Sequence, residues 1–149
     1  MLALIIAIIV SLEADFVQTK EVAMMAAPQV AEGHLSYHAP ESIRWAYTKP
    51  SSLVWEMNGK NTNVNPQIQG LLRMIMASVK GENLQDSPDF GVQQEGNVYT
   101  LTPRKRDYKR LFRKIIITME PKKETAKRVQ LFEANGNTTL IEFRNVTTQ

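Results

Sequence analysis

The stretch Gly33–Pro50, GHLSYHAPESIRWAYTKP, narrows the possible folds more than any other part of this chain. Polar and apolar residues alternate through it with the two-residue period of half-buried strands, a pattern that cannot bury one face of a helix. Leu35 and Tyr37 fall on one face, and His34, Ser36 and His38 on the other. Beyond Ala39-Pro40-Glu41-Ser42 the alternation resumes, with Ile43, Trp45 and Tyr47 opposite Arg44, Ala46 and Thr48. Proline fixes φ and offers no N–H to a central ladder, so the Pro40 segment is a turn and Thr48-Lys49-Pro50 marks the next one. The segment reads as a β-hairpin with one heavily aromatic face. The function of the chain turns on what that face covers.

More strands flank it. In Leu12–Val22, Asp15, Val17 and Thr19 alternate with Phe16, Gln18 and Lys20. The following Met24–Pro28 is an apolar connection whose adaptable methionines, Met24 and Met25, fill the core or, alternatively, line a lipid site. Ser52–Met57 puts Leu53, Trp55 and Met57 on one face, and Asn58-Gly59 is a strong hairpin turn into Lys60–Val64. Later, Phe90–Gln94 and Val98–Thr102 flank Glu95-Gly96-Asn97, and Lys114–Glu120 is rich in β-branched residues. Pro121–Glu124 turns it, and Asn135-Gly136 joins Lys127–Glu133 to Thr138–Thr148. The runs number about ten, in a meander that curls to hide its edges.

One segment breaks the pattern. Pro66–Lys80 carries Ile68, Leu71, Leu72, Ile75, Met76 and Val79 at spacings of three and four, one apolar helical face. Pro66 suits a first-turn position, and Gly70 weakens the helix by about 1 kcal/mol relative to alanine. An amphipathic helix inserted in a meander must cover something, either as a plug of ordinary core or as a movable lid. The polar loop Glu82–Asp89 follows it.

Composition bounds the chemistry. The 149 residues suffice for one domain with a sizeable core. Without cysteine there is no disulfide, thiolate metal site or cysteine nucleophile. The apolar run Met1–Val10 is too short to span a bilayer and has no basic flank, so it is read as a signal remnant or as an apolar first helix. Seven basic residues crowd Pro103–Lys114 around Tyr108, Leu111 and Phe112. They make either a patch for anionic lipid heads or an acidic partner, or a solvated loop or short helix. No nucleic-acid motif accompanies them. His34 and His38 share a strand face about 13 Å apart along the strand, too far to share a metal, and read as surface histidines. No nucleophile elbow, zinc-binding helix or phosphate loop occurs. Nothing in the residues points to an enzyme, and no cofactor or metal is expected.

The order Phe16-x-Gln18-x-Lys20, Gly33-x-Leu35, then Pro40-x-x-x-Arg44-Trp45-x-Tyr47-x-x-Pro50 resembles the periplasmic lipoprotein carrier LolA and its relatives. Leu101-Thr102-Pro103 and the late strand pair at Asn135-Gly136 fall where that family has similar features. The resemblance implies a mainly β fold with a helical lid (α+β), a curved, incomplete antiparallel β-barrel enclosing an apolar cavity. It implies a non-enzymatic periplasmic carrier of lipoprotein acyl chains from inner to outer membrane. The implied partners are acylated lipoproteins, an inner-membrane lipoprotein-releasing transporter and an outer-membrane acceptor, with the chain acting as a monomer and without nucleic acid. The alternative is a module of the same fold that binds or senses a lipid or other hydrophobic ligand.

On this resemblance, Phe16, Leu35, Tyr37, Ile43, Trp45, Tyr47, Leu53 and Trp55 on the sheet are the expected acyl-chain contacts. Leu72, Ile75, Met76 and Val79 join them on a lid, residues 66–80. Each has an alternative reading as plain core. The family's well-studied members carry an arginine just before the turn proline, where it helps to hold the lid closed. Ala39 stands at that position here, and Arg44 is not credited with the role. An acceptor-type relative carries a lipidated cysteine, so a soluble shuttle is the expectation for a chain without one.

Overall fold

The computed structural model describes residues 9–79, 88–121 and 125–149. Along the chain run β1 (Ser11–Glu21), β2 (Gln29–His38), β3 (Ser42–Lys49), β4 (Leu53–Asn58), β5 (Asn61–Thr62), α1 (Pro66–Val79), β6 (Phe90–Glu95), β7 (Val98–Pro103), α2 (Arg106–Leu111), β8 (Phe112–Met119), β9 (Ala126–Glu133) and β10 (Thr138–Thr148). Hydrogen bonding joins all ten strands into one sheet of order β5-β4-β3-β2-β1-β10-β9-β8-β7-β6. Every neighbouring pair is antiparallel. The sheet is therefore two five-strand meanders, β1–β5 and β6–β10, fused where β1 pairs β10. It curves but does not close, and α1 lies in the connection between its opposite edges, β5 and β6. No helix among the described residues is long and apolar enough to cross a membrane.

The alternation seen in the sequence becomes rows of side chains across the inner face. Leu12, Tyr37, Ile43 and Met57 form one row, and Ala14, Leu35, Trp45 and Trp55 the next. A third runs Phe143, Phe16, Gly33, Tyr47, Leu53. In this third row Gly33 leaves a gap in the pleat, and the Phe16 ring lies over it. A methyl group at Gly33 would collide with the Ala46 carbonyl oxygen and the Phe16 ring. Gly59 and Gly136, in the two Asn-Gly turns, both sit at positive φ, as tight hairpin turns require.

Helix α1 starts where its capping chemistry places it. The Ile68 N–H donates to the Asn65 side-chain oxygen at 3.0 Å, and Pro66 occupies the first turn, where no N–H is needed. Leu72, Ile75, Met76 and Val79 are buried in the same core as the inner-face strand residues, while Ile68 and Leu71 are partly buried against it.

Some boundaries differ from the sequence expectation. Lys60–Val64 does not form a full strand. Only Asn61 and Thr62 pair with β4, because side chains take over the ladder. Thr62 Oγ1 donates to the Glu56 carbonyl at 2.8 Å, and Asn63 receives the Glu56 N–H while donating to the Val54 carbonyl. Such local side-chain bonds compete with strand pairing. Met24 and Met25 are exposed and do not fill the core. The β1–β2 register pairs Lys20 with Gln29, which leaves residues 22–28 as a turn beyond the sheet's end. Strand β8 begins at Phe112, earlier than the expected Lys114, because Phe112 is already extended where α2 stops. Residues 1–8, 80–87 and 122–124, with the N-terminal reading, most of the polar loop and most of the Pro121–Glu124 turn, lie outside the described residues.

The Phe16–Gly33 packing generates a direct test. Gly33→Ala should lower stability by about 1–3 kcal/mol, the usual cost of overpacking a close-packed site, as read from the urea unfolding midpoint. An unchanged midpoint would mean that the ring does not occupy the gap.

Candidate functional site

The site is built on β3. Its inward residues meet aromatic side chains of β1, β4 and β10 in one cluster. Trp45 stacks on Phe16 with ring centroids 4.1 Å apart, and Tyr47 meets Phe16 edge-on at 5.4 Å. Phe143 approaches Trp45 edge-on at 6.3 Å, and Trp55 approaches Tyr47 at 5.7 Å. These are the offset and edge-to-face geometries that aromatic quadrupoles favour. The Tyr47 hydroxyl donates to the Gln18 side-chain oxygen at 2.8 Å, and burial pushes its phenol pKa above the ordinary value.

Helix α1 covers this floor incompletely. On one flank a cavity of about 200 Å³ is walled by Trp45, Tyr47 and Trp55 from the sheet and Leu71, Leu72 and Ile75 from the helix. Phe112, Leu131 and Ile141 close it from the other meander. Its polar end is Gln18, Lys20, Glu133 and Thr139. There Lys20 Nζ lies 3.4 Å from Glu133 Oε1, and Thr139 donates to the other Glu133 oxygen at 3.2 Å. On the opposite flank a second cavity of about 190 Å³ lies between Arg73, Met76 and Ala77 of α1 and Tyr37, Pro40, Glu41, Ile43, Met57 and Gly59.

The twelve expected contact residues separate accordingly. Trp45, Tyr47, Trp55, Leu72 and Ile75 meet around the first cavity, and Tyr37, Ile43 and Met76 around the second. Phe16, Leu35 and Val79 are fully buried and line neither. Leu53 is about half exposed and also lines neither, because it lies at the far end of its row near the β5 edge. Arg44 points to the outer face and pairs with Glu56 at 3.1 Å, away from the helix. Sequence reasoning missed the wall supplied by β8–β10. The alternation of Leu131 with Gln130 and of Ile141 with Glu142 was the available signal, but it does not say which cavity a strand faces. It missed Lys20 and Glu133 altogether, since they are 113 residues apart.

The outer face carries different chemistry. His34 is held between two carboxylates, with Nδ1 2.8 Å from Asp15 Oδ1 and Nε2 2.5 Å from Glu13 Oε2. Ser36 donates to Glu13 at 2.7 Å, Asn145 donates to Asp15 at 2.9 Å, and His38 Nε2 lies 3.9 Å from the other Glu13 oxygen. The two histidines are thus not independent surface groups. Register places Glu13 opposite Ser36, midway between them, so both imidazoles lean to one carboxylate. Among the described residues no group of three or more potential ligands could hold a metal ion. Burial pulls the His34 pKa down, but the hydrogen bonds and charges of Asp15 and Glu13 outweigh it and raise the value. Burial likewise pushes Glu13 up, and is outweighed by Ser36 and His34, while Asn145 and then His34 hold Asp15 down.

An open antiparallel sheet with a helix laid over an apolar, aromatic-floored face is the frame of a class of carrier and binding proteins. The chain belongs to the LolA family: the model of "Outer membrane lipoprotein carrier protein LolA" matches residues 8–149. Members of that family are carrier or binding proteins. No curated protein matches the chain in sequence. Among solved structures, a LolA superfamily protein from Nitrosomonas europaea aligns with a TM-score of 0.50 at 10% identity, over 93% of this chain and 86% of that one. MucB in complex with MucA(peri) aligns with a TM-score of 0.53 at 11% identity, over 93% of this chain. A Pseudomonas aeruginosa MucA/MucB complex aligns at the same score and identity. The chain spans about half the length of the MucB chains it matches. At such identities the likeness is one of fold.

The outer-face network makes stability depend on pH in a defined direction. His34, whose pKa is raised on folding, contributes stability that is fully present below about pH 6.5 and lost as pH rises through its folded value. Glu13 and Asp15, whose values are lowered, contribute above about pH 4.5 and lose that contribution as pH falls. The stability gap between the native chain and His34→Gln should therefore be largest near about pH 5.5 and shrink by about pH 8. Thermal unfolding at the two pH values reads it. A gap that widens with pH contradicts the network.

Proposed function

We propose that this protein is a periplasmic, non-enzymatic carrier that binds lipoprotein acyl chains beneath α1 and releases them without covalent chemistry. The observation that carries the reading is the aromatic-floored cavity between α1 and an open sheet, in a chain of the LolA family. Trp45, Tyr47, Trp55, Leu72 and Ile75 contact the first methylenes. Tyr37, Ile43 and Met76 extend the apolar path on the other flank, and Phe16, Leu35 and Val79 become accessible as the helix moves away. Leu53 guides chains at the rim. The cargo is an acylated lipoprotein, received from an inner-membrane transporter and passed to an outer-membrane acceptor.

Magnitudes support α1 as a lid. A cavity of about 200 Å³ is below the roughly 300–1,000 Å³ usual for ligand pockets, so several acyl chains require the helix to move. Exposing the four buried side chains of α1 costs about 6–12 kcal/mol. Burying an acyl chain returns about 0.8 kcal/mol per methylene, so about 8–15 methylenes offset the opening. One long acyl chain is enough to balance the helix, and a balance of a few kcal/mol can be tipped by a donor or an acceptor. With Ala39 at the turn, closure rests on the apolar packing of α1.

A second reading is a binding module of the same fold that holds a hydrophobic ligand or partner without handing it on. It is favoured by the fold's likeness to MucB, solved in complex with MucA(peri).

A diacylated lipopeptide titrated into the protein should change the emission of its two tryptophans, Trp45 and Trp55. Trp55→Ala should weaken that binding about tenfold, a loss of about 1.4 kcal/mol. Trp45→Ala, at the centre of the core, should instead lower stability by about 3–5 kcal/mol. Native mass spectrometry of protein taken from a bacterial periplasm separates the two readings, since a carrier comes with an acylated lipoprotein and a ligand-binding module with free lipid. A protein that binds no lipopeptide overturns both lipid readings.

A further inference from the structure

Seven of the chain's 18 basic residues lie between Arg104 and Lys114, with Asp107 the one acidic residue among them. That segment carries +6 in a chain whose net charge is +3, so the remainder is net −3. All seven basic side chains are exposed, and α2, which carries Arg106, Lys109 and Arg110, buries no residue. Core packing therefore does not explain this composition. Of these seven, only Lys105 forms an ion pair among the described residues, at 2.8 Å from Asp89, while Lys114 lies over the Phe132 ring at 4.7 Å. The charge is segregated, solvent-facing and largely unneutralised.

Its position is equally specific. The Tyr108 ring packs on Phe90 with centroids 5.0 Å apart. Its hydroxyl sits against Gly70 of α1, where any side chain would collide with it. Phe112, the next residue after α2, is part of the wall of the first cavity. The basic surface thus flanks both the covering helix and the cavity beneath it.

We propose that α2 and its flanking residues form a docking surface for an anionic lipid bilayer. Four of the seven residues are arginines, whose planar guanidinium matches phosphate oxygens. The aromatic residue of α2 faces inward onto Phe90, so the patch offers no stacking platform of the kind that single-stranded nucleic acids use. The outward side of α2 is charged rather than apolar, so the contact is adsorption at the headgroups and not insertion. Adsorption brings the mouth of the cavity to the lipid surface.

Co-sedimentation tests this with vesicles of equal phosphatidylglycerol and phosphatidylcholine against vesicles of phosphatidylcholine alone. The full chain should bind the anionic vesicles only, and binding should fall steeply as salt is raised. Combined Arg106→Gln, Lys109→Gln and Arg110→Gln should weaken it about 100-fold, at about fivefold for each basic residue removed from the surface. Lys60→Gln, Lys127→Gln and Arg144→Gln together, exposed elsewhere, should change it by less than about threefold. Equal binding to neutral vesicles, no binding, an effect equal in both triple variants, or tighter binding to a single-stranded oligonucleotide each overturns the proposal. The salt series on the native chain needs no variant to fold. The readout does not involve the cavity, so loss of lipopeptide binding and loss of vesicle binding are separate failures.

Discussion

The position of the Phe16 ring over Gly33 sets the rest of the inner face. Without a side chain on β2 at that point, β1 can lay its phenyl ring across the gap and flat against Trp45 of β3. Tyr47 is then met edge-on, Trp55 is met by Tyr47, and Phe143 closes the group from β10. Five strands are tied through one contact of ring against backbone. The floor it produces is broad and apolar, and a single 14-residue helix cannot fill it. The cavities beside α1 follow from this mismatch of area rather than from any residue dedicated to making a hole.

The same alternation separates two chemistries on one sheet. On β1, Leu12, Ala14 and Phe16 go inward, while Glu13 and Asp15 go outward to His34. The carboxylate–imidazole network thereby lies on the outer side of the sheet, across the strand from the apolar floor. The ionisable pair on the cavity side, Lys20 with Glu133, sits at the polar end, where water still reaches both. Binding below α1 and charge on the outer face can vary independently.

The sequence showed the strands, their turns and the inserted helix because these are local: a two-residue period, two Asn-Gly turns, and spacings of three and four from Ile68 to Val79. It also showed which residues of β2, β3 and β4 share a face. It did not show that β1 pairs β10, since nothing in either strand names its partner. The missing information follows from that one pairing. Phe143 in the aromatic cluster, Leu131 and Ile141 in the cavity wall and Glu133 beside Lys20 all come from the second meander. Glu13 between the two histidines was hidden for a related reason, because a strand read alone does not reveal the side chain that a neighbour places across it. The short β5 escaped because Asn63 trades strand pairing for side-chain hydrogen bonds.

The β1–β10 pairing also bears on the order of assembly. Each meander is made of sequential hairpins and can pair locally, but the seam joins residues such as Asp15 and Asn145 that are 130 positions apart. Closing so long a loop is entropically costly, and contacts of this range slow folding. Until β10 exists, β1 is an open edge with an apolar inner row, and the aromatic cluster lacks Phe143. A chain emerging N-terminus first therefore holds a half-finished sheet whose most hydrophobic strands cannot yet be sealed. That interval, rather than the finished protein, is when this fold is most exposed to aggregation.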